Sequence, residues 1–134
     1  MNIAIIPATS KSKRIKNKNI INFLGKPIIY WPIRAAKKSK IFKKIIVSTD
    51  SKKISNIANS FGAETPFFRP KRLSGDKTGI LAVVQHTIKF LEKKKIKFDN
   101  VCCIFSTTPM IDEKILKKTL KKLKKGKFDF VFGA

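Results

Sequence analysis

Residues 2–19 read NIAIIPATSKSKRIKNKN, a short apolar run that stops at Pro7 and opens into a polar loop carrying four lysines and an arginine. An unbroken apolar run closed by a proline is the pattern of a strand buried on both faces, because a strand with one wet face alternates instead. A polar loop directly after such a strand lies at its carboxyl end, where open α/β sheets place their ligands. The fold then depends on whether the rest of the chain supplies parallel partners for this strand.

The following segments do. Gly25, Lys26 and Pro27 punctuate the chain, and IIYWPIRAAKKS predicts a helix with Pro27 near its first turn. Pro32 should kink or delay that helix, so its regular part is expected after residue 32. The β-branched run IIVS at 45–48 predicts a second strand, and Asp50 is placed to cap a helix with Ile54, Ile57, Ala58 and Phe61 inward, stopped by Gly62. A short extended piece, ETPFFRP, leads into the glycine-bearing loop KRLSGDKTG. The next helix sets Ile80, Val84, Ile88 and Leu91 on one stripe and ends in the lysines at 93–95. VCCIF at 101–105 predicts another buried strand, followed by the turn STTP. Asp112 should cap a helix with Ile115, Leu116, Thr119, Leu120 and Leu123 inward, closed by Gly126, and FDFVF predicts a last strand. Alternation of this kind predicts an α/β sandwich with a mostly parallel sheet and right-handed crossovers.

A chain of 134 residues with 43% hydrophobic content can bury one core, so residues 1–134 are expected to form a single domain. Ending just after a predicted strand, the chain reads as part of a longer fold. No run has the length of a membrane span, and MNIAII lacks the regions of a signal peptide, which predicts a cytoplasmic protein without membrane association. Cys102 and Cys103 are adjacent in an apolar run and point to opposite faces of a strand, so they are expected to be reduced core residues. Lys and Arg number 31 against 8 Asp and Glu, a net charge of +23. Only Arg14, Arg34, Arg69 and Arg72 are arginines, and the lysines cover every polar face, as a compositional bias would produce. Such a field still draws in anionic ligands and predicts nonspecific nucleic-acid binding at low salt.

Four loops fall at the carboxyl ends of the extended segments: 7–19, Thr49 with Asp50, 69–78, and 106–109. The first brings Ser12, Lys13, Arg14, Lys18 and Asn19, and the third brings Arg69, Arg72, Asp76 and Thr78, a cationic rim suited to phosphates and a base edge. Neither GxGxxG nor GxxxxGK[ST] is present, so a dinucleotide fingerprint and a P-loop are both unsupported. The single histidine, His86, reads as a surface or second-face residue, and no nucleophile triad or carboxylate pair follows from the spacing.

The ordered motifs IIPAxxxSKRIxxKNI, GKP, VSTD, GAExPFxRP, DxTG and VCCIFxTxP resemble the cytidylyltransferases that activate nine-carbon sugar acids, the CMP-sialic acid synthetase family. AETPFFRP, DKTG and VCCIF are most similar to its pseudaminic acid branch, and the likeness covers the N-terminal portion of such an enzyme. The resemblance implies a three-layer, Rossmann-like fold of the nucleotide-diphospho-sugar transferase type. It also implies transfer of CMP from CTP to a nonulosonic acid with release of pyrophosphate. Magnesium is implied as cofactor, with its ligands past Ala134, and a homodimer as the full-length assembly. By position, Ser12, Lys13 and Lys18 are implied to hold the triphosphate, with Lys13 and Lys18 catalytic. Asn19 and Arg69 are implied to contact cytidine, Asp76 and Thr78 to belong to the neighbouring nucleotide loop, and Thr107 and Thr108 to face the sugar.

The chain departs from this family at Thr9, Ser10 and Lys11, where arginine and two glycines are usual, at Ile80, where a small hydroxyl residue is frequent, and at Phe105, where a tyrosine or glutamine stands. Two further readings remain open at this point: a remnant that binds nucleotide without turnover, and a basic α/β module that binds nucleic acid.

Overall fold

The computed structural model describes residues 1–75 and 77–132. In chain order the elements are β1 (Asn2–Pro7), a 3-10 turn (Lys18–Ile20), β2 (Asn22–Phe23), β3 (Lys26–Pro27), α1 (Tyr30–Ser39), β4 (Phe42–Ser48), α2 (Lys52–Ser60), a second 3-10 turn (Lys71–Leu73), α3 (Ile80–Lys93), β5 (Asn100–Cys103) and α4 (Glu113–Lys125). Strands β1, β4 and β5 form a parallel sheet in the order β4, β1, β5, and β2 with β3 makes a small antiparallel ribbon. Residues 64–69 run along the outer edge of β4, held by Val47 N–H to Glu64 O, Glu64 N–H to Ile45 O and Arg69 N–H to Thr49 O, each 2.8 Å. Pro66 lies within this stretch and has no N–H to donate, so only isolated bridges form. The spatial order is therefore 64–69, β4, β1, β5, and the chain reverses direction across the sheet between β1 and β5. Open α/β sheets bind their ligands at such a reversal.

Period-two alternation in β1 divides the core. Ala4 and Ile6 face α1, α2 and α4 through Ile33, Ala36, Ile54, Ala58 and Leu116, while Ile3 and Ile5 face α3 with Ile46 and Leu91. The result is the expected three-layer sandwich, with Ile3, Ala4, Ile5 and Ile6 of β1 buried in its middle. Gly62 ends the α2 turn at φ +92°, a conformation that glycine adopts without steric cost.

Several expectations need correction. Pro32 neither kinks nor delays α1: the helix starts at Tyr30, so Pro32 occupies the first turn, whose N–H groups have no intrahelical acceptor to lose. Ser51, not Asp50, caps α2, its hydroxyl accepting from Ile54 N–H at 3.3 Å. The buried line of α3 is Val83, Thr87 and Leu91, with Val84 and Ile88 half-buried beside it and Ile80 at the exposed rim. Asp112 does cap α4, accepting from Ile115 N–H at 2.8 Å, yet only Leu116 of that helix is fully buried and Ile115 is exposed. FDFVF forms no strand, and Phe128, Phe130 and Phe132 are exposed. His86 is half-buried against Phe67, ring centroids 4.9 Å apart, and burial with Arg72, Arg69 and Lys93 nearby lowers its pKa. Among the described residues no helix is long and apolar enough to cross a membrane.

The cysteines are less buried than the apolar run suggests, because among the described residues β5 is bonded on one edge only: Cys103 is exposed and Cys102 half-buried. Burial, and to a lesser degree the neighbouring Cys103, pushes the Cys102 thiol up to about 11. The folded chain thus holds this proton more tightly than the unfolded chain, so its contribution to stability falls as pH rises from about 9 towards 11. Iodoacetamide should modify Cys102 of the native protein about a hundredfold more slowly than in the urea-unfolded chain at pH 8.5, with a rate still climbing above pH 9. Residue-resolved mass spectrometry checks this, and a native rate that levels off near pH 9 would contradict it.

Candidate functional site

Hydrogen bonds between loops build the rim above the sheet. Leaving β1, Ala8 donates its N–H to Ser48 O at 2.9 Å, which keeps the first loop in line with β4. Thr9 then donates its hydroxyl to Ser74 O at 3.2 Å and accepts the Lys11 N–H at 3.2 Å, joining the first loop to the third. Ser10 gives both its N–H and its hydroxyl to the two oxygens of Asp50, each at 2.9 Å. Asp50 is free for this because Ser51 caps α2.

Further along, Asn17 adopts the left-handed conformation at φ 55° and turns the chain into the Lys18–Ile20 turn. That turn directs Asn19 inward. Its Nδ2 donates to Thr9 O at 2.6 Å and its Oδ1 accepts from the buried Ser106 hydroxyl, so the side chain bridges the reversal between β1 and β5.

The third loop is organised around Arg69, which is 7% exposed. Its Nε donates to Ser48 Oγ at 3.2 Å, Nη2 to Ser48 O at 2.6 Å and Nη1 to Leu73 O at 3.3 Å. Burial lowers its pKa and Asp50 opposes that shift; an arginine stays protonated regardless. Ser74, fully buried, donates its hydroxyl to Pro70 O at 2.9 Å and completes the turn.

Between the first and third loops lies an open hollow of about 470 Å³, lined by Lys11, Ser12, Lys13, Gly75 and Lys77. Two residues expected from the sequence, Ser12 and Lys13, are thus brought together. Lys18 is half-buried on its turn and is not among the lining residues. Asn19 and Arg69 bond inward to the protein. Thr78 is half-buried, its N–H on Gly75 O at 3.1 Å, and Asp76 lies outside the described residues. Beyond the Asn19 bridge, at the end of β5, Thr107 is exposed and Thr108 donates its hydroxyl to Phe105 O at 2.6 Å.

Sequence reasoning missed Gly75 and Lys77 as lining residues, and Asp50, Ser74 and Ser106 as ties between loops. The available signal was that each stands at a predicted strand's carboxyl end or in the loop beyond it. Three lysines and a hydroxyl among the described lining residues make a wall for a ligand bearing several negative charges. Among the described residues no group of three or more His, Cys, Asp or Glu is placed to hold a metal ion, and Asp50 is bonded to Ser10. The described residues do not by themselves fit a magnesium site.

Comparison with known proteins identifies the family and the fold. The family model described as cytidylyltransferase matches residues 3–133. A pseudaminic acid cytidylyltransferase of Campylobacter jejuni is 42% identical over 99% of this chain and 57% of its own length. An N-acylneuraminate cytidylyltransferase of Escherichia coli is 34% identical over 89% of this chain and 27% of its own length. The chain therefore spans little more than half the length of the first of these relatives. Among solved structures, CMP:2-keto-3-deoxy-manno-octonic acid synthetase complexed with CTP superposes with TM-score 0.75 at 18% identity, over 92% of this chain and 47% of that one. A cytidylyltransferase from Leptospira borgpetersenii gives 0.69 at 20% identity, over 94% and 50%. At those identities the superpositions speak for the fold, and the sequence matches speak for descent: the chain belongs to the cytidylyltransferase family.

Proposed function

We propose that this protein transfers CMP from CTP to a nine-carbon sugar acid of the pseudaminic type, releasing pyrophosphate. The observation that carries this reading is the lysine-lined hollow at the carboxyl end of a parallel sheet, beside the strand reversal, in a chain 42% identical to a pseudaminic acid cytidylyltransferase. In the reaction the anomeric hydroxyl oxygen bonds to the α-phosphorus and the bond from that phosphorus to the β-phosphate oxygen breaks. Pyrophosphate leaves with the electron pair, and the hydroxyl proton passes to water. Positioning and charge stabilisation supply most of the catalysis in such a displacement.

The chain's residues divide that work by place. Ser12 and Lys13 hold the triphosphate in the hollow, and Lys18 carries charge at the far end of the same loop. Thr78 and Asp76 belong to the loop on the nucleotide side. Thr107 and Thr108 stand across the reversal, where the sugar acid would meet the α-phosphate. Asn19 and Arg69 serve this reading chiefly as positioning residues: Asn19 fixes the distance between the phosphate loop and the β5 turn, and Arg69 shapes the third loop.

Two measurements follow. In thermal-shift or calorimetric titrations CTP with magnesium should stabilise the chain more than ATP or inorganic phosphate does, and equal stabilisation by all three would remove the support for a cytidylyltransferase. Asn19→Ala should lower stability to urea by about 1–3 kcal/mol, since it leaves a buried serine hydroxyl and a carbonyl unpaired. It should also weaken CTP and pyrophosphate together through misplacement of the loop. Unchanged stability with a loss confined to CTP would instead make Asn19 a direct reader of the nucleoside.

A further inference from the structure

We infer that Lys11 and Lys77 form a two-sided clamp for the terminal phosphates of the nucleotide, with the Ser10 to Asp50 latch as the device that aims Lys11 into it. This rests on the reading of the hollow as the triphosphate site, and it assigns a purpose to Thr9, Ser10 and Lys11, the adjacent three of the residues that depart from the family pattern.

Each of those residues is held by a bond that the usual sequence could not make. A glycine at position 10 has no hydroxyl, so it could offer Asp50 only its N–H; Ser10 offers both, and the paired bonds at 2.9 Å fix the peptide that leads into Lys11. Thr9 accepts the Lys11 N–H and donates to Ser74 O, which holds the first loop against the loop that carries Gly75 and Lys77. Lys11 and Lys77 therefore line one hollow from two loops that the Thr9 to Ser74 hydrogen bond ties together.

The geometry selects a ligand class. A monophosphate gathers its charge on one phosphorus, whereas the β- and γ-phosphates of a nucleoside triphosphate, or free pyrophosphate, carry more charge spread over two phosphorus centres and so engage cations from both loops more strongly. Lysine suits this, as a compact point charge on a flexible stem that follows the phosphate as it leaves, where an arginine fork would demand fixed bidentate geometry. The clamp should thus discriminate triphosphate from monophosphate and leave the choice of base to other residues.

The test uses the chain of 134 residues, with CTP, CMP, ATP, AMP and inorganic pyrophosphate as probes in calorimetry. Lys11→Gln and Lys77→Gln should each raise the Kd for CTP and for pyrophosphate about tenfold while changing CMP by less than about twofold. Ser10→Ala and Asp50→Asn should raise the pyrophosphate Kd about threefold to tenfold, and Ser10→Thr, which keeps the hydroxyl, should retain wild-type binding. A structural role alone would move CMP and CTP equally and would show no rescue by threonine. The clamp is overturned if the lysine variants weaken CMP as much as CTP, if they leave pyrophosphate unaffected, or if the wild-type chain binds triphosphates no better than monophosphates. Equal binding of CTP and ATP with the triphosphate preference intact would leave the clamp standing and refute the cytidylyltransferase reading instead.

Discussion

The carbonyl of Ser48, the last residue of β4, is the point on which the rim depends. Fully buried, it accepts the Ala8 N–H at 2.9 Å and the Arg69 Nη2 at 2.6 Å, while the Ser48 hydroxyl accepts from Arg69 Nε at 3.2 Å. Three segments far apart in sequence meet at one residue: the exit of β1, the end of β4 and the third loop. A parallel sheet makes this convergence unavoidable, since all its carboxyl ends lie on one side and the loops must share that space. A buried backbone carbonyl without partners is costly, and here the sheet's own arrangement supplies them.

Arg69 at this point solves an electrostatic problem as well. A buried cation in a chain of net charge +23 is unfavourable unless dipoles and an anion surround it. Ser48, Leu73 and the field of Asp50 do so, and the same carboxylate receives Ser10. The guanidinium thus acts from inside the loop and the lysines from its surface. Shape is set by the buried arginine and by hydroxyl groups, and charge is delivered by lysines on long, flexible stems.

This division explains what the sequence discloses. The layers, the parallel strands and the loops at their carboxyl ends were legible, because burial on two faces leaves uninterrupted apolar runs such as IAII and IIV, and Asp112 is a cap that local chemistry alone determines. The motifs from Asn2 to Phe132 also carried the family. What could not be read was which polar residue answers which. Asp50 looks like a helix cap by position, yet Ser51 takes that role and leaves its carboxylate to a serine forty residues earlier. Asn19 and Arg69 look like outward ligand contacts, and the structure engages both with buried groups. FDFVF has the alternation of a strand, but a strand needs a partner, and among the described residues the outer edge of β5 pairs with none.

The altered loop at residues 9–11 then appears as a substitution of one kind of order for another. Glycines allow close approach of backbone to phosphate at the cost of chain entropy lost on ordering. Thr9 and Ser10 restrict the unfolded loop and add three side-chain bonds in the folded one, to Ser74 and Asp50 and from Lys11, so the loop is set before any ligand arrives. Such a loop offers fewer bare amides and more fixed hydroxyls, and charge once concentrated in an arginine fork is distributed over lysines of two loops. Recognition should then respond to the length and charge of the phosphate chain more than to the contour of a single phosphate. That follows from how the loop is held, independently of what the rest of the site binds.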